Sequence, residues 1–293
     1  MSFRMMMTDM HSSPLYSHVT AGLWQRCLSI RNQFCDAVVA NGLLTWEQML
    51  HASCRYCIGS TVKGGVIFWQ IDLEGRVHDG KVMYYQPDCH RNKDKRFHPT
   101  WVSAILARRE AALAKSLNLE PTFNSPRSSH CFFGLHLLMA DGRCMNREPL
   151  TLNHEPVICI VESEKSAFIL SELFPQHIWL ASGGLGEVQP DKFHPLRGRR
   201  VVMFPDTDPD GIAFRRWTDA ASQVMRTFFW EDSPPIHVSQ LLELHATKEQ
   251  KERKIDLVDF LFEEQTDEAC KPIEFCLNSR RLEAPNSNKS ITI

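Results

Sequence analysis

Three aspartates at alternate positions follow a short apolar stretch, and their types and spacing suit metal chemistry. Asp206, Asp208 and Asp210 come after the apolar run 201–204 and precede Gly211. An apolar run bounded by turn residues predicts a buried strand, so these side chains crowd negative charge at a strand end. Crowded carboxylates repel one another unless a cation neutralises them, and hard oxygen ligands suit Mg²⁺ or Mn²⁺. The stretch therefore predicts a metal site.

Two further charged clusters can contribute to the same site. They are Glu162, Glu164 and Lys165 after the apolar run 157–161, and Asp256 with Asp259 further along the chain. Because the carboxyl ends of parallel strands meet at one edge of a sheet, we expect Glu162 to lie beside Asp206. A carboxylate whose neighbours raise its pKa toward neutrality can serve as a general acid or base. The alternative is that a strand-end aspartate caps the next helix, and Asp210 could do only that.

The segment that holds these residues alternates between strand and helix patterns. The predicted strands are 157–161, 178–181, 201–204 and a fourth that begins at 236, and the predicted helices are 166–174, 213–229 and 254–261. This alternation predicts an α/β fold, a mainly parallel sheet flanked by helices, with its site at the carboxyl ends of the strands.

The preceding part of the chain predicts a smaller α+β unit. Helical spacing runs through 20–52, where Thr45 is a plausible cap with Gln48 three residues on. Alternation over 65–86 predicts a β-hairpin, and helical spacing returns over 101–117.

Composition and the pattern of apolar residues predict four regions in this chain of 293 residues, of which 43% are hydrophobic. We expect a disordered start over 1–18, an α+β subdomain over 19–150, an α/β domain over 151–264 and a polar tail over 265–293.

A basic loop follows the hairpin, with cations at Arg91, Lys93, Lys95 and Arg96. Such loops are commonly solvated surface, and the functional alternative is that they neutralise nucleic-acid phosphates without reading sequence. The net charge of −2 gives no global basic footprint. A nucleic-acid partner therefore has to be held by a local patch such as this one.

The cysteines favour a reducing compartment. All ten are scattered without a regular framework, which favours free thiols and a cytoplasmic location. Cys54 and Cys57 have the spacing of half a zinc knuckle, but the nearest partners, Cys89 and His90, are adjacent rather than spaced. We therefore expect no zinc. We also expect no membrane partner, because no apolar run approaches the ~18 residues of a span.

Two stretches resemble the motifs of the TOPRIM fold, which is shared by bacterial-type primases, type IA and II topoisomerases and certain nucleases. Residues 160–167 read Ile-Val-Glu-Ser-Glu-Lys-Ser-Ala, and residues 204–211 read Phe-Pro-Asp-Thr-Asp-Pro-Asp-Gly. The Glu-x-Glu-Lys form resembles primases and primase-like proteins of phages and mobile elements, and 254–261 resembles their further acidic motif. The hairpin, the basic loop and 132–135 look like the amino-terminal part of a primase catalytic core, so the resemblance covers about 55–262.

This resemblance implies a TOPRIM-like α/β fold preceded by a primase-core-like subdomain, and Mg²⁺- or Mn²⁺-dependent nucleotidyl or phosphoryl transfer in primer synthesis. It makes Glu162 the general acid or base and a metal ligand, and Lys165 a contact to phosphate or a support for Glu162. The implied metal ligands are Asp206 and Asp208, then Asp210, with Asp256 as an accessory ligand. The basic loop would follow the template. The implied partners are nucleic acid, with single-stranded DNA as the expectation, nucleotides, and a helicase or other replication protein.

The sequence departs from primases in three places. It has no complete zinc ribbon, only a polar stretch after Phe262, and Ser163 where primases have glycine after the motif glutamate. Two alternatives therefore stay open beside the primase. One is a TOPRIM nuclease that uses the same residues to hydrolyse a phosphodiester, and the other is a non-catalytic nucleic-acid-binding module of a mobile element.

Overall fold

The computed structural model describes residues 17–117, 130–139, 156–228 and 233–264, together with residues 273 and 277. The predicted disorder of 1–16 and the predicted boundary near 140–155 fall outside these residues. The first helix already begins at Ser17, within the stretch predicted to be disordered. In the described part of the chain, no helix has the length and apolar character that crossing a membrane requires.

The described residues 17–117 form four α-helices and an antiparallel sheet. In chain order the elements are α1 (Ser17–Cys27), α2 (Gln33–Ala40), α3 (Trp46–Arg55), β1 (Gly59–Ser60), β2 (Val66–Ile71), β3 (Val77–Met83), β4 (Thr100–Trp101) and α4 (Val102–Ser116). The strands follow the order β1-β2-β3-β4. The predicted hairpin is β2 and β3, which pair over their full length. The predicted cap at Thr45 is also present, because the side chains of Thr45 and Gln48 accept each other's backbone N–H and start α3.

The second part forms a parallel sheet flanked by helices. Its elements are β5 (Ile158–Val161), α5 (Glu164–Leu173), β6 (Ile178–Ala181), β7 (Val201–Phe204), α6 (Ile212–Thr227), β8 (His237–Val238), α7 (Leu241–His245), α8 (Lys248–Arg253) and α9 (Leu257–Glu264). The strand order is β6-β5-β7-β8, and all three pairings are parallel. The predicted α/β class with a parallel sheet is therefore confirmed.

Each face of the parallel sheet is covered by a different helix. Cys159 and Val161 of β5 belong to a core cluster that includes Phe168 of α5. Ile158 and Ile160, which point to the other face, pack in the cluster that contains Trp217 of α6. Burial on both faces explains why these strands are continuous apolar runs rather than alternating ones.

One aromatic core joins the two sheets. Phe34 of α2 packs 5.2 Å from Phe168 of α5, and Phe68 of β2 packs 5.3 Å from Phe133, measured between ring centroids. All four rings are fully buried in the same cluster. That cluster also takes in the buried residues 273 and 277, which come from the stretch predicted to be a polar tail. The antiparallel part is therefore packed directly on α5, the helix that follows Glu162.

One predicted helix start was wrong. The helix predicted from residue 254 begins at Leu257, because Lys254 ends α8 in a left-handed conformation with φ 58°. The turn between the helices places Asp256 beside the parallel sheet, where the Thr207 N–H donates to the Ile255 carbonyl at 3.1 Å.

Candidate acidic site

Glu162 and Asp206 meet at the carboxyl edge of the parallel sheet. Val161 and Phe204 are register partners in β5 and β7, so both acidic residues emerge from neighbouring strand ends. Asp206 is half-buried. Its pKa is raised well above the usual value, first by burial and then by the negative charges of Glu162 and Asp256. The structure thus brings together the two carboxylates that the sequence pattern placed at one edge.

The Glu162 carboxyl has a raised pKa of its own. Burial is the main cause, and the charges of Asp256 and Glu164 act in the same direction. A hydrogen bond from the Leu185 backbone N–H and the nearby Lys81 ammonium oppose the shift without cancelling it. A glutamate in this state binds a proton more readily than a solvated one, which suits a general acid or base.

Lys165 and Asp256 form a buried ion pair next to these carboxylates. Lys165 Nζ lies 3.2 Å from Asp256 Oδ2 and 3.4 Å from Asp259 Oδ1. Burial works to lower the pKa of Lys165, but the two carboxylates outweigh burial and raise that pKa above the usual value. Both Asp256 oxygens are engaged, since Oδ2 also accepts from the Ser166 hydroxyl at 2.7 Å and Oδ1 accepts from the Asp259 N–H at 2.8 Å. Asp256 therefore organises the site more than it offers a free ligand.

The pKa values of Asp256 and Asp259 are shifted in opposite directions. Burial works to raise the pKa of Asp256, but Lys165, the Asp259 N–H and the Ser166 hydroxyl hold it below the usual value. The pKa of Asp259 is raised, first by burial and then by the negative charge of Asp256. Asp256 is therefore the more strongly ionised partner of Lys165.

Ser163 begins the helix that carries Lys165. Its Oγ accepts the Ser166 N–H at 3.1 Å, and the two serine hydroxyls lie 2.6 Å apart. This is the N-cap arrangement that satisfies a free amide in the first turn of a helix. The residue that replaces the expected glycine thus links the start of α5, through Ser166, to Asp256.

Asp208 caps the helix that follows β7. Its two oxygens accept the backbone N–H groups of Asp210, Ile212 and Ala213 at 3.0, 3.0 and 2.7 Å. Burial works to raise the pKa of Asp208, but these three N–H groups lower it below the usual value. The capping role, which the sequence left open as the alternative for Asp210, is therefore performed by Asp208. Asp210 is exposed, and its carbonyl accepts a hydrogen bond from Arg215.

The basic loop is exposed to solvent and follows the buried residue Cys89. All four of its predicted phosphate contacts are exposed, namely Arg91, Lys93, Lys95 and Arg96. Arg96 pairs with Asp94 at 2.6 Å. At the base of the loop, Cys89 is buried, and burial is the main cause that raises its pKa to about 12. The charges of Lys165 and Asp256 also act on this thiol, so the start of the loop lies within electrostatic range of the acidic cluster.

Lys81 is a residue of the site that the sequence analysis missed. It stands on β3 of the antiparallel sheet, and its Nζ lies 3.0 Å from Glu164 Oε2 and 2.7 Å from the Gly183 carbonyl oxygen. Glu164 is only 2% exposed. The sequence around a lysine in a hairpin strand does not indicate that its side chain will pair with a residue near another sheet. Only the folded structure therefore reveals the pair of Lys81 and Glu164.

Cys54 and Cys57, the two cysteines with the spacing of half a zinc knuckle, lie at the end of α3. Cys57 packs in a cluster with Trp24 and Trp69, and Cys54 is half-buried. Burial raises the pKa of Cys54 above the usual thiol value. Neither cysteine forms a disulfide.

A separate cavity of about 560 Å³ lies between the hairpin turn and the loop after β6. Its polar lining comes from both sides and includes Asp72, Arg76, His78, His130, Glu187 and Lys192. The loop that forms one wall also supplies the Leu185 N–H to Glu162. A ligand-sized space thus adjoins the acidic site behind this loop.

Comparison with known proteins gives a family without an assigned activity. No curated protein matches the chain. The family described as a domain of unknown function, DUF6371, matches residues 32–207. The matched segment runs from the start of α2 through the end of β7, and it includes Lys81, Glu162 and Asp206. Because the match spans more than half of the 293 residues, this chain belongs to the DUF6371 family.

Proposed function

We propose that this protein is a primase-like TOPRIM enzyme that transfers nucleotidyl or phosphoryl groups on nucleic acid with the help of Mg²⁺ or Mn²⁺. The observation that carries the proposal is the meeting of Glu162 and Asp206 at adjacent parallel strand ends, each with a raised pKa. This arrangement joins the two sequence stretches that resemble the TOPRIM motifs. The observed parallel sheet, flanked by helices, supports the same interpretation.

The residues at this edge fit a hard divalent cation. No three His, Cys, Asp or Glu side chains converge as a complete metal cage among the described residues. Mg²⁺ does not require such a cage, because it keeps several waters and uses one or two carboxylates together with substrate phosphates. Glu162 and Asp206 would be those two ligands, while Asp208 and Asp256 are already engaged by backbone and side-chain donors. The bound ion would neutralise charge on the nucleotide phosphates.

The chain's own residues supply proton handling and charge. Glu162, with its raised pKa, would accept a proton from an attacking hydroxyl group or return one to a leaving oxygen. Lys165 is held by Asp256 and Asp259, so it keeps the neighbouring helix start in position. The exposed cations of the basic loop follow Cys89, a residue on which the charges of the acidic cluster act, and they would hold a nucleic-acid backbone by phosphate contacts.

A primer-synthesis assay tests the proposal. Purified protein is incubated with single-stranded DNA, labelled nucleoside triphosphates and Mg²⁺ or Mn²⁺, beside the Asp206→Asn variant. We expect labelled oligomers from the wild type and a loss of about 10²-fold or more in the variant, since Asp206 would hold the metal. Asp219→Asn is the matched control, because Asp219 is an exposed aspartate on α6.

The same assay separates the alternatives. Cleavage of the DNA that depends on Asp206, without synthesis, would assign the site to a nuclease instead. A wild-type protein that binds DNA yet neither synthesises nor cleaves would refute both enzymes and leave a binding module.

A further inference from the structure

The strand β3 delivers a cation into the acidic site from the other sheet. Lys81 Nζ donates to Glu164 Oε2 at 3.0 Å and to the Gly183 carbonyl at 2.7 Å. The Lys81 side chain is 15% exposed and that of Glu164 is 2% exposed, so water screens this pair poorly. Gly183, whose carbonyl accepts from Lys81, donates its own N–H to the Glu162 carbonyl at 3.0 Å, so the ammonium lies one residue away from the backbone of the first carboxylate of the site.

Glu164 has one oxygen without a partner. Its Oε1 is buried and accepts no hydrogen bond from any of the described residues. A Cβ atom on Gly183 would approach this oxygen to 3.3 Å, and the backbone there has φ +94°. Glycine at this position therefore keeps space open beside the oxygen. A buried carboxylate oxygen in this state calls for a cation or a proton.

The second lysine of the site has a different environment. Lys165 pairs with two carboxylates rather than one, and Asp256 is satisfied further by the Ser166 hydroxyl and the Asp259 N–H. Glu164 relies on Lys81 in the same way without those extra donors. The Lys81 ammonium therefore lies between a carboxylate and a carbonyl oxygen, which are both metal-ligand types, and beside a carboxylate oxygen that has no other partner among the described residues.

We propose that the Lys81 ammonium replaces a second divalent cation, so that the site takes one Mg²⁺ or Mn²⁺, at Glu162 and Asp206, and not two. This inference rests on the proposed function, because that function places the first ion. In two-metal sites the ions lie about 3.5–4 Å apart and share bridging ligands. Here the Lys81 ammonium is held by Glu164 Oε2 at 3.0 Å and by the Gly183 carbonyl oxygen at 2.7 Å. It therefore excludes a divalent ion from these two oxygens by its size and by charge repulsion.

Counting bound Mn²⁺ tests this inference without any activity measurement. The number of ions per chain is obtained from titration calorimetry and from the loss of the free-ion signal in electron paramagnetic resonance. We expect one ion for the wild type and two for Lys81→Met, because removal of the ammonium frees Glu164. Lys81→Arg keeps the charge and should bind one. Lys63→Met, a change at an exposed lysine, is the matched control and should also bind one.

The possible results distinguish a failure of this inference from a failure of the proposed function on which it rests. One ion in both wild type and Lys81→Met overturns the role of Lys81 and leaves the metal site standing. Two ions in the wild type would likewise overturn the role of Lys81 while the metal site at Glu162 and Asp206 remains. No ion in the wild type overturns the proposed metal site itself. If circular dichroism shows that Lys81→Met is unfolded, the number of ions is counted instead in wild-type crystals soaked in Mn²⁺. One anomalous peak with Lys81 still on Glu164 supports the inference, and a second peak at the ammonium position overturns it.

Discussion

Single side chains in this protein have roles that depend on which polar groups fold against them. Asp208 and Asp206 are two residues apart, yet backbone N–H groups lower the pKa of Asp208 while burial and neighbouring charges raise that of Asp206. Residue type is the same in both, so the difference comes from the environment alone. Asp206 is therefore the aspartate with unsatisfied charge, and Asp208 is the helix cap.

Asp72 provides a test of such an environment away from the acidic site. Burial opposes its ionisation, but hydrogen bonds from His78 and Arg76 lower its pKa to about 2. A folded-state pKa below the unfolded value stabilises the protein above pH ~4, and this contribution is lost as the pH falls toward 2. We expect Asp72→Asn to lower the free energy of unfolding at pH 6 by about 2 kcal/mol.

Urea unfolding of Asp72→Asn and wild type at pH 6, 4 and 3 measures this effect. The gap between the two proteins should narrow as the pH falls. Glu74→Gln removes a neighbouring carboxylate whose side chain is 62% exposed, so it should change little. A gap that stays constant from pH 6 to pH 3 would contradict the assigned environment of Asp72.

At the scale of elements, α5 is the helix that positions the site, and the antiparallel part fixes it at both ends. Lys81 holds Glu164 in its first turn, and Arg55 lies 3.5 Å from Glu172 near its last turn. Between them, the Tyr56 hydroxyl donates to the Ala167 carbonyl at 3.2 Å and to the Trp179 carbonyl at 2.7 Å. The end of α3 thereby ties α5 to β6.

Tyr56→Phe tests this tie. The ring remains packed on Phe133, 4.8 Å away, while the hydrogen bonds to α5 and β6 are lost. We expect the free energy of unfolding to fall by about 1–2 kcal/mol, since buried hydrogen bonds are broken without a cavity. Urea denaturation gives the value. Tyr84→Phe, at a half-buried tyrosine of the loop after β3, is the control. Equal stabilities of Tyr56→Phe and wild type would show that the hydroxyl does not hold the helix.

At the scale of the whole molecule, the two sheets share one core. Phe133 stands between them, because its backbone pairs with Ala181 of β6 while its ring packs on Phe68 of β2. It is fully buried. Loss of this ring should therefore weaken both parts of the protein at once, and not the α/β part alone.

Cooperative unfolding is the consequence that can be measured. Circular dichroism and tryptophan fluorescence should report one urea transition, since Trp69 and Trp179 lie in different sheets of one packed unit. Phe133→Ala should lower the free energy of unfolding by about 3–5 kcal/mol and shift both signals together. Leu244→Ala, at a leucine that is 72% exposed, should shift neither. Two separate transitions in the wild type would show that the sheets unfold independently.

Local patterns in the sequence were enough to predict much of the fold. The apolar runs gave the strands of the parallel sheet, and alternation gave the hairpin of β2 and β3. The edge shared by Glu162 and Asp206 also follows from the sequence, because parallel strands end on one side. These features depend on the period of the side chains and on chain order, which a sequence contains.

Tertiary structure decided which charged groups are paired. Lys81 reaches Glu164 across 83 positions of the chain, and no periodicity encodes such a contact. The choice of Asp208 over Asp210 as the cap depends on the direction of the chain at Gly211, whose φ of 62° turns the backbone into α6. Charge–charge and hydrogen-bond energies depend on distances of a few ångströms and on burial. The sequence by itself therefore determined the acidic strand ends of this protein, and only folding decided which carboxylates are held by backbone and side-chain donors.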